Sequence, residues 1–577
     1  VEQLQDKAPE MRLLGNFNAT VQLFEDLSAQ TTLGADNTDA ERRSYAPRAS
    51  AVGAAYGGYA MQAERSLQNL NFQQLLTYSP RFGVNHELEV VGGYEYTKDD
   101  NRGFDARVQG FITDVFGVDN LAGGTAANSP IPNSYHTENT LVSFFSRANY
   151  GFAHKYFLTG VLRRDGSSRL APGHQWEVFP AISGSWRLSE ERFMRDAPFN
   201  LSNLSLRVGW GKQGNQAVQP YQTQLLLRSD PGAAYPFGGT IVNGLRASQV
   251  GNPNLKWETA TQTNVGIDYG FLQDRVTGSL EFYQKNTKDL LLDVAVPQPA
   301  VVSSRIANVG SLRNNGIEAS LDGQLYKEGK TSLSGGIVVT RERNKVTSIG
   351  DVKFINTGGV SGQGQSNQYS QRIMVGEPIG TFFGPKFLFV KDGQQYFACK
   401  TTNADCVNGQ TTNPADEDKV VLGSANPDIT IGLRNNGNWG NFDASWLWRG
   451  EYGGKVFNNT ALVYAQKGDA LQGRNFLRSA LSMPDAIKEP AKFSSRWVES
   501  RTFTRLQNVT IGYMVPTRYT SGRQTRVYVS GDNLALFTNY SGYDPEVYVA
   551  SGLASRGIDY LVYPPSRRYT LGARIQF

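Results

Sequence analysis

The last nine residues, Tyr569 to Phe577, alternate apolar and polar without a break and stop on a phenylalanine. With a period of two, Tyr569, Leu571, Ala573, Ile575 and Phe577 share one face, and Thr570, Gly572, Arg574 and Gln576 share the other. An outer-membrane β-barrel ends this way, with the first face on lipid and the second on a wet lumen. A strand of a soluble sandwich alternates in the same manner, so the choice between the two falls to the rest of the chain.

The same alternation recurs throughout. Leu88, Val90, Tyr94 and Tyr96 form one apolar row; Val265, Ile267 and Tyr269, then Leu280 and Phe282, and Ile317, Ala319 and Leu321 form others. Further rows are Ile429, Ile431 and Leu433; Phe442, Ala444, Trp446 and Trp448; and Val509, Ile511, Tyr513 and Val515. The opposite faces are expected to carry Glu87, Glu89, Glu95, Asp268, Glu281, Glu318, Asn435, Asp443 and Arg449. Ions on so many inner faces would each cost several kcal/mol in a dry core, and a water-filled lumen removes that cost.

Connections alternate in length. Short turns at 271–275, 326–329 and 437–440 contrast with long excursions at 101–138, 214–254, 391–426, 453–501 and 535–565. Periplasmic turns and extracellular loops differ in this way in outer-membrane barrels. The expected fold is all-β, an antiparallel transmembrane barrel with about 19 strands in this chain. A first strand near 13–23, followed by a turn at Glu25-Asp26, runs in the same direction as the last. That makes the count odd where single-chain bacterial barrels are even, so at least one N-terminal strand is expected outside the sequence.

Bulk composition agrees. All 577 residues share one composition, which favours one large closed sheet over several soluble domains. No stretch approaches the roughly 20 apolar residues of a membrane-spanning helix, and mean hydropathy is −0.41, so a helical membrane protein is excluded. The net charge of +5 comes from 57 basic and 52 acidic residues scattered along the chain, which argues against a nucleic-acid groove. Val1 to Lys7 contain no export signal, which a barrel requires, so an upstream part is expected to be missing. Cys399 and Cys406 lie in a polar stretch with no further Cys or His beside them; a local disulfide in an oxidising compartment is the preferred reading, two free surface thiols the other.

Several segments carry a more specific signal: Leu162-Arg163-Arg164-Asp165-Gly166-Ser167-Ser168-Arg169 with Phe179-Pro180 and Trp186-Arg187-Leu188-Ser189-Glu190-Glu191; Asn252-Pro253-Asn254-Leu255-Lys256-Trp257-Glu258-Thr259; Asn286-Thr287-Lys288-Asp289-Leu290-Leu291; Asn308-Val309-Gly310 with Asn314-Asn315-Gly316-Ile317-Glu318; and Asp532-Asn533-Leu534 running into Tyr540-Ser541-Gly542-Tyr543-Asp544-Pro545-Glu546-Val547. In order and content they resemble the SusC-like branch of the TonB-dependent outer-membrane transporters, over essentially the whole chain. The resemblance implies a 22-stranded barrel when complete, a SusD-like surface lipoprotein as lid, and import of an oligosaccharide or peptide driven through the TonB complex. Nothing resembles the family's N-terminal plug, so residues 1–577 are read as a partial receptor barrel domain.

Each candidate site has a plainer alternative. The Arg163 to Arg169 segment could grip an anion, but bracing a loop through Asp165 is the preferred reading. Trp257 reads as an interface-girdle residue and Glu258 as a loop anchor. Asp416, Glu417 and Asp418 lack a dedicated Ca²⁺ pattern and read as a solvated acidic loop. Tyr221, Tyr235, Phe237, Tyr369, Tyr540 and Tyr543 are the candidates for stacking against substrate, with loop self-packing the alternative. Tyr464 and Tyr540 are the aromatics expected to face the lipoprotein lid. His86, His136, His154 and His174 fall in no nucleophile motif, so no catalytic, metal or cofactor site is expected. An importer of a bulky nutrient is the leading reading; a passive pore or surface-binding barrel is the second.

Overall fold

Residues 10–24 form the first long strand, Glu10–Phe24, in spite of the Gly15-Asn16 pair at its centre. The computed structural model describes residues 4–194, 200–296, 299–362, 364–400, 404–466, 473, 475–478, 480, 487–547 and 556–576. Phe577, the residue on which the terminal pattern stops, lies outside them. They divide into two compact units: Val1–Gly184 with Gly211–Ala260 and Leu291–Asn308, and Ser185–Trp210 with Thr261–Leu290 and Val309–Phe577. Three further long strands, Trp176–Arg187, Leu201–Asn215 and Glu258–Phe271, complete the wall elements.

In the first unit the short strand Gln5–Lys7 pairs with Leu27–Ala46, and six long strands pair antiparallel in sequence order. Glu10–Phe24 joins Leu27–Ala46, followed by Tyr59–Tyr78, His86–Gln109, Asn133–Phe152 and Tyr156–Ser167. The turn at 25–26 is where the sequence places it. At one end the connections are short, as at 153–155, where Ala153 and His154 take positive φ. The other end carries 110–132, so the strands themselves extend further out than the expected excursion at 101–138. The 214–254 excursion also differs from expectation: it holds a hairpin, Leu226–Phe237 with Thr240–Gln249.

The second unit follows the same rule. Val276–Lys288, Ser311–Glu328, Thr331–Ser348, Ile429–Trp439, Phe442–Tyr452, Phe503–Val515, Gln524–Thr538 and Arg568–Gln576 pair in that order. Two-residue turns, 329–330 and 440–441, close hairpins at one end. At the other end, 349–428 form small sheets of their own, including Ile355–Gly359 with Tyr369–Ile373 and Phe387–Lys391 with Gln394–Ala398. A dry core sits here, in the long-loop segments, around the fully buried Phe382, Phe457 and Leu462 with Ile558.

The wall strands have two faces and little buried core. Phe72, Tyr94 and Phe144 touch ring to ring on the apolar face at 5.2–6.0 Å, and Ile511 and Leu571 stand exposed on the same kind of face in the second unit. Asn435 is a correction: it lies opposite Trp446, on the apolar face, as its spacing of two from Leu433 requires. On the polar face, aromatic rings lie across glycines of the adjacent strand: Phe145 over Gly93, Tyr283 over Gly316 and Tyr528 over Gly572, in each case a directly paired residue. A Cβ at any of these glycines would stand within 2.3–2.8 Å of atoms at the far end of the ring.

Candidate functional site

The polar face of the first unit is a lattice of carboxamides, hydroxyls and paired charges. Asn16, Asn18 and Thr32 are linked at 2.6–3.0 Å, Asn71 donates to Thr97 at 3.2 Å, and Asn139 donates to Asp99 at 2.8 Å. Arg163 bridges Glu95 at 2.9 Å and Asp165 at 2.7 Å and donates to Ser143. This is the bracing role expected for that segment, with Arg164 lying over the Trp176 ring at 5.0 Å. In the second unit Arg207 pairs with Asp268, Arg434 with Asp322 and Arg526 with Asp443. These cations are neutralised across the sheet, which leaves a surface rich in neutral donors and acceptors.

Within the second unit this face also lines a cavity of about 260 Å³. Asn314, Glu342, Asn344, Thr430 and Glu451 contribute from the wall, Asn426 and Arg556 from loops. Asn344 donates to Asn314 at 2.5 Å and accepts from the Ile379 amide at 2.9 Å. Glu451, only 4% exposed, takes Arg449 at 2.5 Å and Arg501 at 2.9 Å. Burial pulls the Arg501 guanidinium below its ordinary range, and Glu451 opposes that pull. Amides of this kind can both donate to and accept from a hydroxylated or amide-bearing solute. No sequence signal marks the cavity, because its residues are spread from 314 to 556.

Residues 10–534 match the family model described as TonB dependent receptor-like, beta-barrel. The chain belongs to this family. Its strands are therefore those of an antiparallel outer-membrane barrel of the TonB-dependent type. This TonB-dependent receptor barrel is 31% identical over 590 residues to TonB-dependent receptor P3 of Formosa agariphila, covering 97% of this chain and 58% of that protein. It is 28% identical over 602 residues to TonB-dependent receptor SusC of Bacteroides thetaiotaomicron, covering 100% of this chain and 57% of that one. The chain thus spans a little over half the length of these relatives. Among solved structures, the RagAB peptide importer in its closed-closed state superposes with a TM-score of 0.85 at 22% identity, covering 100% of this chain and 63% of that one.

In the receptor barrel the family-like motifs serve as anchors. Asp544 and Glu546 reach back to the wall: Arg505 grips Asp544 at 2.7–2.8 Å and Glu546 at 3.1 Å, Arg449 holds Glu546 at 2.6 Å, and Asn533 accepts from Arg505 at 2.7 Å. Trp257 is a correction to the girdle reading. It is buried against Phe179, its indole N–H donating to the Gln175 carbonyl at 2.8 Å, while Glu258 anchors the Leu291 amide. In the 416–418 segment Asp416 and Glu417 are exposed, as a solvated acidic loop would have them, but Asp418 is not. Asp418 is buried and accepts from the Lys400 and Ala415 amides. The Arg372 fork, with Lys419 beside it, holds the Asp416 pKa down at about 2.

The aromatic candidates separate. Tyr235, Phe237, Tyr369 and Tyr543 are exposed, with Tyr235 and Phe237 side by side on the hairpin. Tyr221 is half-buried and its hydroxyl accepts from the Glu138 amide at 3.0 Å. Tyr540 is a correction, buried rather than exposed: its hydroxyl donates to Asp559 at 2.6 Å, and burial together with that carboxylate raises its pKa far above the ordinary range. Tyr464 is half-buried beside the segment 459–463. Cys399 and Cys406 are joined, with Cα atoms 5.7 Å apart.

Proposed function

We propose that the protein carrying this barrel imports a bulky polar nutrient, an oligosaccharide or a peptide, across the outer membrane with energy passed through TonB. Family membership and the neutralised polar face together support this reading. A solute crossing such a face exchanges hydrogen bonds with water for hydrogen bonds with Asn, Gln and Thr, and meets no net field to trap it. The RagAB peptide importer, of similar fold, points to one of these solute classes. Tyr235, Phe237, Tyr369 and Tyr543 are our candidates for stacking against the solute, and the cavity beside Asn344 and Arg556 for grasping one polar unit of it. A SusD-like lipoprotein over the long loops completes the reading, with the TonB complex engaging a part of the protein outside this chain.

Uptake of labelled oligosaccharide and peptide pools by the full-length protein, in cells with and without TonB, tests the proposal. Uptake that collapses without TonB is the expected result. Equal uptake in both strains would leave a passive pore.

A further inference from the structure

On the apolar face of the second unit, the side chains change character row by row toward the long-loop end. Gly278, Leu321, Ile337 and Leu433 form one row across the paired strands, and Leu280, Ala319, Val339 and Ile431 form the next. The following row is Phe282, Ile317 and Arg341. Then come Gln284, Asn315 and Arg343, and after them Asn286, Arg313 and Lys345. None of the nine positions in these last three rows is a carboxylate, and all four cations are exposed. Among the described residues none of the four has an acidic partner; Arg313 donates to Asn286 at 3.0 Å. Glu318 and Glu342, adjacent in sequence, point to the other face.

Elsewhere on the wall, groups of charges satisfy one another. On the polar face Arg163, Arg207, Arg434 and Arg526 each hold a carboxylate, as described above. In the first unit, an apolar-face group of charges is also self-satisfied: Lys98 meets Glu138 at 2.9 Å, and Asp100 holds both Arg102 and His136 at 3.0–3.1 Å. Four unpartnered cations on one outward face repel one another and remain only where an anion or water screens them.

The level of the patch identifies the anion. Arg341 stands about ten residues from the two-residue turn at 329–330, roughly 34 Å along the strand, which a tilt of about 40° reduces to about 26 Å. The apolar band of an outer-membrane barrel is about 25 Å tall, so Arg341 stands where acyl chains give way to headgroups. The turn is at the short-connection, periplasmic end, and the patch is therefore at the outer leaflet. Phe282 and Ile317, 47% and 41% exposed, share the row of Arg341, at the level where the chains end. A shallow cleft of about 640 Å³ lies between, lined by Phe282, Gln284, Asn315, Ile317, Arg341 and Arg343.

We propose that Arg341 and Arg343, supported by Arg313 and Lys345, bind the phosphate of an outer-leaflet glycolipid whose acyl chains lie on Phe282 and Ile317. Guanidinium forks match phosphate oxygens two at a time, and the cleft admits a sugar-sized headgroup. The inference rests on the membrane placement of the wall and is independent of what the protein imports.

Native mass spectrometry of the full-length protein in detergent, titrated with bis-phosphorylated lipid A, its dephosphorylated form and inorganic phosphate, tests this. Wild type is expected to bind lipid A about tenfold more tightly than the dephosphorylated form. The double variant Arg341→Gln, Arg343→Gln should lose about that factor, and Arg341→Lys with Arg343→Lys should lose less. Millimolar inorganic phosphate should not displace the lipid. Equal binding of the two lipid forms by wild type, a result that needs no variant to fold, would overturn the proposal, as would an unaffected Gln variant. Displacement by inorganic phosphate would make this a free-anion site and overturn the lipid assignment.

Discussion

Arg505 holds together parts of the chain that sequence alone keeps apart. It is 5% exposed, and its partner Asp544, 39 residues away, is about as deeply buried. Removing one member of such a pair leaves an uncompensated ion, at a cost of about 3–5 kcal/mol. Arg505→Met is therefore expected to release the segment 540–547 to protease and lower the unfolding midpoint by a matching amount, while Arg505→Lys retains part of the stability. Limited proteolysis with mass detection reads the first effect, and denaturant titration the second. The sequence displays the Asp544-Pro545-Glu546 motif plainly, but the arginines it meets emerge only once Phe442–Tyr452 and Phe503–Val515 are paired. The burial of Tyr540 is hidden for the same reason: an aromatic in a polar loop gives no sign that Asp559 waits to receive its hydroxyl.

At the scale of elements, wall strands are legible because lipid on one side and water on the other impose a strict period of two. The hairpin Leu226–Phe237 with Thr240–Gln249 is not. Its Gly238-Gly239 turn is a recognisable signal, but the bulge between Asp230 and Tyr235 and the proline at 236 break the alternation on which the reading depends. The small sheets of 349–428 are hidden by their short strands. One of them supplies a pH prediction. Asp416 titrates at about 2 in the fold against an ordinary 3.8, so its contact with Arg372 stabilises the fold fully above about pH 4 and is lost as pH falls toward 2. Amide exchange of Ile355–Gly359 and Tyr369–Ile373 should accelerate in that window beyond the intrinsic pH effect, and Asp416→Asn should abolish the excess. Because Asp416 is half exposed, the change should be local rather than global.

For the molecule as a whole, the division of labour is between wall and loops. Dry cores occur where the long connections fold on one another, around Phe382 and Phe457 in the second unit and around Leu170, Leu255 and Trp257 in the first. The wall instead depends on its ladders and on lipid. Leu433→Arg, in the middle of the apolar band, should accordingly cost about 2–4 kcal/mol in folding into bilayers, whereas Asn436→Arg, on the opposite face of the same strand, should be nearly neutral. Equal losses for the two would contradict the assignment of faces.

The rings that lie across Gly93, Gly316 and Gly572 bear on how far the polar face of the wall protrudes. Phe145, Tyr283 and Tyr528 all belong to the polar face of their strands, where a side chain standing upright would reach further from the wall. Laid flat on a neighbour that has no side chain, each takes up only the thickness of its ring. Replacing any of these glycines, even by alanine, would lift a ring away from the sheet, so the relief of that face is set as much by the residues that are smallest as by those that are large.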